Sequence, residues 1–255
     1  MPIRIDTGCV TDIGGRTANA DSVAVETTPL GTGAAVVDGI GSSEAVCRAA
    51  RRAADTAAAV ASHRDAQAGL LAAADTMPGY PGSPNAVAAV VSVDPDGRIE
   101  IAHCGDATVH TWSPEHGLVR WTADQTLAAW ISHALRRTSP ATPAGRAAIE
   151  AFAAAEPPLD SFVLSGLNYV TVSTIGWTPL RAPHHRPSVV LLSSDGVHKR
   201  LGDHEIGRLL GEHQDAKAQV LAEVLLAAAV ATPGADPDEQ TDNASAAVLS
   251  IAWAE

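Results

Sequence analysis

The chain has 255 residues, of which 46% are hydrophobic, and its formal net charge is −12. A surface for nucleic acid needs clustered cations, so this charge argues against nucleic-acid binding, although it allows an anionic substrate held by an arginine and metal ions. The N-terminus has no apolar signal core, and no apolar run approaches the length of a membrane span. The three cysteines are odd in number and lack metal-ligand spacing, so they fit a reducing cytosol better than a disulfide framework. We therefore expect a cytoplasmic protein that binds no membrane.

The predicted elements of the first half alternate between strands and helices. Residues 2–37 are expected to form three or four strands, and alanine-rich helices are predicted at 42–63 and 65–74, the first capped by Ser42 or Ser43. From 86 to 121, β-prone runs separated by short turns of Asp, Pro and Gly predict an antiparallel meander.

The second half repeats this alternation. Helices are predicted at 127–135, 144–154, 203–212 and 216–231, and strands at 169–174, 188–194 and from 243 onward. Residues 138–168, rich in Pro and small residues, are expected to be a flap-like insertion. No repeat or linker divides the sequence, so we expect a single α+β domain over residues 1–255, with helices covering largely antiparallel sheets.

Four aspartates occur at the ends of predicted strands. Asp38 and Asp195 end the runs V-V-D-G and L-L-S-S-D-G, whereas Asp21 and Asp242 precede theirs. In antiparallel strands such positions are adjacent, so the four carboxylates could gather along one sheet edge. Close carboxylates repel unless they are protonated or neutralised by cations. Taken singly, an Asp-Gly after a strand is usually a turn, so the prediction of a shared site depends on the whole set.

The ligand chemistry predicts a hard cation. Oxygen ligands without clustered histidines or cysteines favour Mg²⁺ or Mn²⁺. Gly39, directly after Asp38, allows close backbone approach and could offer its carbonyl as a further oxygen ligand.

Six short motifs occur in an order that resembles a known family. They are N-A-D at 19–21, V-V-D-G at 36–39, H-C-G-D-A at 103–107, T-A-D-Q at 122–125, L-L-S-S-D-G at 191–196 and T-D-N at 241–243. Together they resemble the metal-dependent PP2C-type (PPM family) serine/threonine protein phosphatases, particularly compact bacterial members. The resemblance implies a four-layer α-β-β-α fold, with a central antiparallel β-sandwich flanked by helices and a dinuclear metal site at one end.

The resemblance also implies roles for individual residues. Asp38 would bridge two Mn²⁺ or Mg²⁺ ions, with Asp195 and Asp242 binding one of them and the Gly39 carbonyl the other. Asp124 falls where the family places a ligand for a third, weaker ion. Arg16, five residues before Asp21, has the spacing of the phosphate-binding arginine, whose planar fork suits two phosphate oxygens. Asp106 is expected to be structural.

The implied activity is hydrolysis of phosphate monoesters on serine and threonine residues, by a water that two metals activate. The implied partners are phosphorylated proteins of bacterial signalling, including a serine/threonine kinase and its targets.

Departures from the family's pattern leave alternatives open. Ala20, Ile40, the stretch 83–86 and Ser173 stand where relatives often carry other residues. They motivate a second hypothesis, a weakly active or inactive phosphoprotein-binding regulatory module. A phosphatase for a small phosphorylated metabolite also fits the sequence. Retention of Asp38, Asp195 and Asp242 favours an active enzyme, because a scaffold has little reason to keep mutually repelling acids.

Overall fold

The computed structural model describes residues 3–138, 142–153, 159–180, 186–233 and 241–253. Ten strands form in this part of the chain: β1 (Arg4–Asp12), β2 (Asp21–Thr28), β3 (Gly31–Gly39), β4 (Ala86–Val93), β5 (Ile99–Cys104), β6 (Thr108–Ser113), β7 (Gly117–Arg120), β8 (Gly176–Leu180), β9 (Val189–Ser193) and β10 (Ala244–Ala252). They make two antiparallel sheets, ordered β1-β10-β9-β6-β7 and β2-β3-β4-β5-β8.

Six α-helices accompany the sheets in the described ranges: α1 (Glu44–Ala61), α2 (Ala66–Asp75), α3 (Leu127–Thr138), α4 (Pro143–Ala153), α5 (Asp195–Glu212) and α6 (Ala218–Ala231). As predicted, a serine caps the first helix: the Ser43 hydroxyl accepts a hydrogen bond from the amide of Val46. The Asp65 carboxylate caps α2 in the same way. Such caps satisfy amides that have no partner within the helix.

The sheets face each other and bury the alternate side chains of their strands. Ala34 and Val36 of β3 pack toward Leu192 and Leu249 of the other sheet. The outer face of the β3-containing sheet, including Val37, packs on α1 and α2. The outer face of the β10-containing sheet packs on α5 and α6. The predicted four-layer α-β-β-α fold is therefore confirmed.

The buried face of α1 consists almost entirely of alanines, which brings the helix close to β3. A Cβ added at Gly33 would lie 2.2 Å from the carbonyl oxygen of Ala58. Glycine on the strand and alanine on the helix thus fit one another.

The predicted meander is wrong in its pairing. β4 and β5 belong to one sheet and β6 and β7 to the other, so the chain crosses between sheets after β5. Gly105, with φ 78°, makes the turn at the crossing, and Asp106 follows it. The β-prone runs predict strands, but they do not indicate which strands pair with each other.

Two further predictions require correction. Residues 169–174 form turns and the strand begins at Gly176, because the hydroxyls of Thr171 and Thr174 bond locally, in competition with sheet pairing. The helix predicted at 203–212 begins at Asp195 instead, and Gly202, with φ 70°, interrupts it. Sequence reasoning took that glycine for a boundary.

Among the described residues, no helix combines the length and apolar character needed to cross a membrane.

Candidate metal centre

Asp21 and Asp38 lie directly opposite each other on neighbouring strands. Asp21 opens β2 and Asp38 closes β3, and the two are register partners. Asp38 continues the stripe of Ala34 and Val36, whose side chains point between the two sheets. Because side chains alternate along a strand, both carboxylates are directed toward the facing sheet at one end of the sandwich.

The facing sheet brings a second pair of aspartates to this end. β9 ends at Ser193, so Asp195 is the first residue of α5, and Asp242 lies two residues before β10. The Ser194 hydroxyl donates to Asp21 Oδ2 (2.7 Å) and accepts from the amide of Ser245 (2.9 Å). The acids therefore gather between the two sheets, and not along one sheet edge as the strand argument predicted.

The carboxylates at this end are strongly coupled. Burial raises the pKa of Asp38 well above its ordinary value, and four neighbouring carboxylates raise it further: Asp21, Asp195, Asp106 and Asp242. We call these five residues the acidic centre. Burial is also the main cause that raises the pKa of Asp21 to about 7, although hydrogen bonds from Ser194 and Ser245 oppose it. Such shifts mean that the centre holds more negative charge than its surroundings stabilise.

Two basic side chains pair with the acidic centre in the described part of the chain. Arg16 Nη2 lies 2.8 Å from Asp242 Oδ2, and 43% and 44% of these side chains are exposed. Lys199 Nζ lies 2.8 Å from Asp106 Oδ2 and 3.2 Å from Asp195 Oδ2. Formally, two positive charges therefore face five carboxylates.

Asn243 fixes the loop that carries Arg16. Its buried side chain accepts a hydrogen bond from the amide of Ala20 and donates to the carbonyls of Ile13 and Ala18. Gly14 packs so closely on this segment that an added Cβ would lie 2.2 Å from the carbonyl oxygen of Asp242. The T-D-N and N-A-D motifs are thus parts of one structure.

Asp124 lies apart from the four predicted ligands. Its carboxylate pairs with Arg120, and its pKa is raised chiefly by burial, with contributions of opposite sign from Arg120 and Asp106. The neighbouring Gln125 accepts a hydrogen bond from the amide of Gly105, which places Asp124 on the Asp106 side of the acidic centre.

The acidic centre fits divalent cations by its chemistry. Its donors are carboxylate oxygens, which hard cations such as Mg²⁺ and Mn²⁺ prefer, and its excess negative charge favours their binding. Within the described ranges, no three acidic, histidine or cysteine side chains converge closely enough to hold an ion as they stand. Asp242 is turned to Arg16 and Asp195 to Lys199, so two of the predicted ligands have cationic partners of the protein's own.

Sequence reasoning missed three residues of this region. Ser194 links the sheets, Asn243 holds the arginine loop, and Lys199 contacts two acids. A signal for Lys199 did exist: the chain has only two lysines, and this one follows Asp195 at the i,i+4 spacing of a helical ion pair. The spacing was not used because the helix was predicted to begin at residue 203.

A cleft of about 420 Å³ opens beside Asp21, between β2 and α1. Arg48 and Arg51 of α1 line it together with Asn19 and Ser22.

Comparison with known proteins identifies the fold. No protein-family model and no curated protein matches the sequence. Solved structures do match it over nearly its whole length. The serine/threonine phosphatase of S. agalactiae has a TM-score of 0.74 at 17% identity, covering 98% of this chain and 100% of the other. The PPM Ser-Thr phosphatase MsPP of Mycobacterium smegmatis, in complex with cacodylate, has a TM-score of 0.66 at 19% identity, covering 96% and 98%.

A third structure, the serine/threonine phosphatase PstP/Ppp of Mycobacterium tuberculosis, has a TM-score of 0.63 at 21% identity and covers 98% of this chain and 99% of that one. The chain therefore has the PP2C-like α+β fold of bacterial PPM-family serine/threonine phosphatases, as the order of its motifs predicted.

Proposed function

We propose that the chain is a metal-dependent protein serine/threonine phosphatase with a dinuclear Mn²⁺ or Mg²⁺ centre. The observation that carries this proposal is the acidic centre: five aspartates from two facing sheets, with the pKa of Asp38 raised by burial and by the other four. A protein that keeps such acids together tolerates strong repulsion, which bound cations would relieve.

In this proposal Asp38 would help to hold both ions, Asp195 and Asp242 would hold one of them, and the Gly39 carbonyl would hold the other. Asp21, opposite Asp38, completes the ligand set. The bound ions supply a water nucleophile near neutral pH and offset charge on the phosphoryl oxygens. Ser194 keeps Asp21 in place through its hydrogen bond.

Arg16 holds the phosphoryl group of the substrate. Its ion pair with Asp242 is half exposed and therefore contributes little stability. With Asp242 engaged as a ligand, the guanidinium of Arg16 would turn to the phosphate and donate two parallel hydrogen bonds. Arg16 would then keep the phosphoryl group in line for attack.

The leaving serine or threonine oxygen needs a proton. Ile40, next to Gly39, cannot donate one. The Asp124 carboxylate is held by Arg120 on the Asp106 side of the centre, where it can accept a hydrogen bond from a water that protonates the leaving oxygen. We assign Asp124 the role of organising that water.

The substrates in this proposal are phosphorylated serine and threonine residues of proteins, including those of a partner kinase and its targets in the cytoplasm.

The test is phosphate release from a phosphoserine peptide by chelator-treated protein, with and without added Mn²⁺ or Mg²⁺. We expect turnover only with metal, and none from Asp38→Asn at any metal concentration. Undiminished turnover after exhaustive chelation would rule the mechanism out. Metal-dependent binding of the peptide without turnover would favour the regulatory binding module instead. Turnover of p-nitrophenyl phosphate but not of the peptide would point to a small-molecule phosphatase.

A further inference from the structure

Lys199 pairs with two of the five acids of the acidic centre. Its ammonium is within hydrogen-bond distance of Asp106, from the crossing between the sheets, and of Asp195, at the start of α5. Only 8% of the Asp106 side chain and 35% of the Lys199 side chain are exposed. A carboxylate buried to that degree requires a cation or a set of donors, and Lys199 is the partner that the structure provides.

The ammonium remains charged where it lies. Burial alone would lower the pKa of Lys199, but the Asp195 and Asp106 carboxylates outweigh it and raise the pKa above its ordinary value. The neighbouring histidines do not share this role, because burial lowers the pKa of His198 to about 3 and also lowers that of His110. The positive charge between Asp106 and Asp195 is therefore that of a single side chain.

Asp124 has a cation of its own as well. It was expected to be a ligand for a third, weaker ion, yet its carboxylate is paired with Arg120. The side of the centre formed by Asp106 and Asp124 thus has both of its acids bound to basic side chains. On the opposite side, Asp21 and Asp38 contact no basic side chain within the described ranges.

We propose that Lys199 is a built-in cation of the acidic centre: its ammonium lies between Asp106 and Asp195, on the side where Asp124 was expected to hold a third divalent ion, and it limits the centre to two ions. The number of two bound ions rests on the proposed function. The position of the ammonium between Asp106 and Asp195 does not. Lys199 is a positioning residue, since it contacts Asp195 and need not touch the substrate.

The charge balance is consistent with this assignment. With Arg16 turned away from Asp242, five carboxylates against Lys199 leave four formal negative charges, which two divalent ions neutralise. A third ion would have to displace the ammonium or place a large positive excess in a partly buried site. Lys199 supplies the same compensation permanently, at any metal concentration.

The test counts ions and does not depend on activity. Chelator-treated wild type, Lys199→Met, Lys199→Gln and Lys199→Arg are titrated with Mn²⁺ in equilibrium dialysis, and bound metal per chain is measured. We expect two ions in the wild type and in Lys199→Arg, and three in Lys199→Met and Lys199→Gln. Gln retains hydrogen bonds to both carboxylates without the charge, so it separates charge from hydrogen bonding and serves if Lys199→Met does not fold.

Two controls locate the added ion. Lys217→Met removes the chain's other lysine, which is exposed before α6, and should leave the count at two because it changes net charge far from the acids. Adding Asp106→Asn to Lys199→Gln should remove the third ion again.

An unchanged count of bound ions in both folded neutral variants of Lys199 overturns the inference and leaves the two-ion function standing. A wild type that binds no Mn²⁺, with one ion gained in Lys199→Gln, would uphold the inference and refute the proposed function. No binding in either would refute both.

Discussion

Arg16 is the residue whose role differs most between the structure and the proposed reaction. In the structure Arg16 pairs with Asp242, whereas in the proposed reaction it binds the phosphoryl group of the substrate. Arg16→Ala should lower kcat/KM at saturating Mn²⁺ by about tenfold to hundredfold, because a charge-assisted hydrogen bond contributes roughly 1.5–3 kcal/mol. Steady-state kinetics on a phosphoserine peptide measures the effect.

Lysine at the same position distinguishes geometry from charge. Arg16→Lys should restore only part of kcat/KM, since an ammonium keeps the charge but lacks the planar fork. Equal kcat/KM values for all three proteins would make Arg16 an ordinary surface residue.

Asp21 gives a prediction about pH and stability. Its pKa is raised, chiefly by burial, from 3.8 to about 7 in the folded protein. The folded state therefore binds the proton more tightly than the unfolded state, and the stability this contributes is fully present below about pH 4 and is lost as the pH rises through 7. In metal-free protein, Asp21→Asn should match the wild-type Tm at pH 4 and exceed it at pH 8, by roughly 3 °C or more.

Thermal unfolding of both proteins across this range, in chelator, provides the measurement. The difference between the two curves isolates Asp21 from the buried histidines, whose lowered pKa values act in the opposite sense and are common to both proteins. A difference in Tm that does not change with pH would contradict the assignment.

At the scale of elements, the arginine loop depends on one asparagine. Asn243 bonds the amide of Ala20 and the carbonyls of Ile13 and Ala18 from a buried position. Asn243→Ala leaves these groups unpaired and should lower the free energy of unfolding by about 1–3 kcal/mol. It should also raise KM, since Arg16 loses its fixed position.

Urea unfolding and kinetics on the same samples test this expectation. Thr17→Ala, an exposed change in the same loop, is the control and should be nearly neutral. If Asn243→Ala were as neutral as Thr17→Ala, the loop would be held by other contacts.

The sequence predicted most elements because their patterns are local. The continuous apolar runs of β3 and β9 and the alanine face of α1 specify strand and helix without knowledge of their neighbours. The crossing between sheets at Gly105 could not be predicted in this way, since it depends on which strands pair. The turns at 169–174 were missed because threonine and valine favour strands, while the hydroxyl bonds that decide the conformation there leave no periodic pattern.

The sequence predicted which aspartates belong to the candidate site, but not how they are arranged. Asp21, Asp38, Asp195 and Asp242 were chosen because they stand at strand ends, and the structure places them at one end of the sandwich. Their distribution over two facing sheets is a property of the tertiary fold. Lys199 pairs with Asp195 at the i,i+4 spacing of a helix, which can be recognised in the sequence. Its pair with Asp106, from the crossing between the sheets, depends on the tertiary fold.

At the scale of the whole molecule, bound metal should couple the two sheets. The acidic centre takes ligands from both, so an ion that binds the folded state alone stabilises the entire sandwich. At 100 times the Kd this contributes about 2.7 kcal/mol, or roughly 5–10 °C in Tm for a chain of this size. Calorimetry of the wild type with and without Mn²⁺ should show this rise, and Asp38→Asn should lose most of it. A rise of equal size in Asp38→Asn would place the stabilising ion elsewhere.

The central claim is that two divalent ions share the acidic centre around Asp38. The most direct measurement is anomalous diffraction at the manganese edge from crystals grown with Mn²⁺. We predict two peaks about 3.5–4 Å apart, as in other two-metal sites, with Asp38 in contact with both. Peaks on a different face of the fold, or none beside Asp38 in a crystal that contains Mn²⁺ elsewhere, would contradict the account.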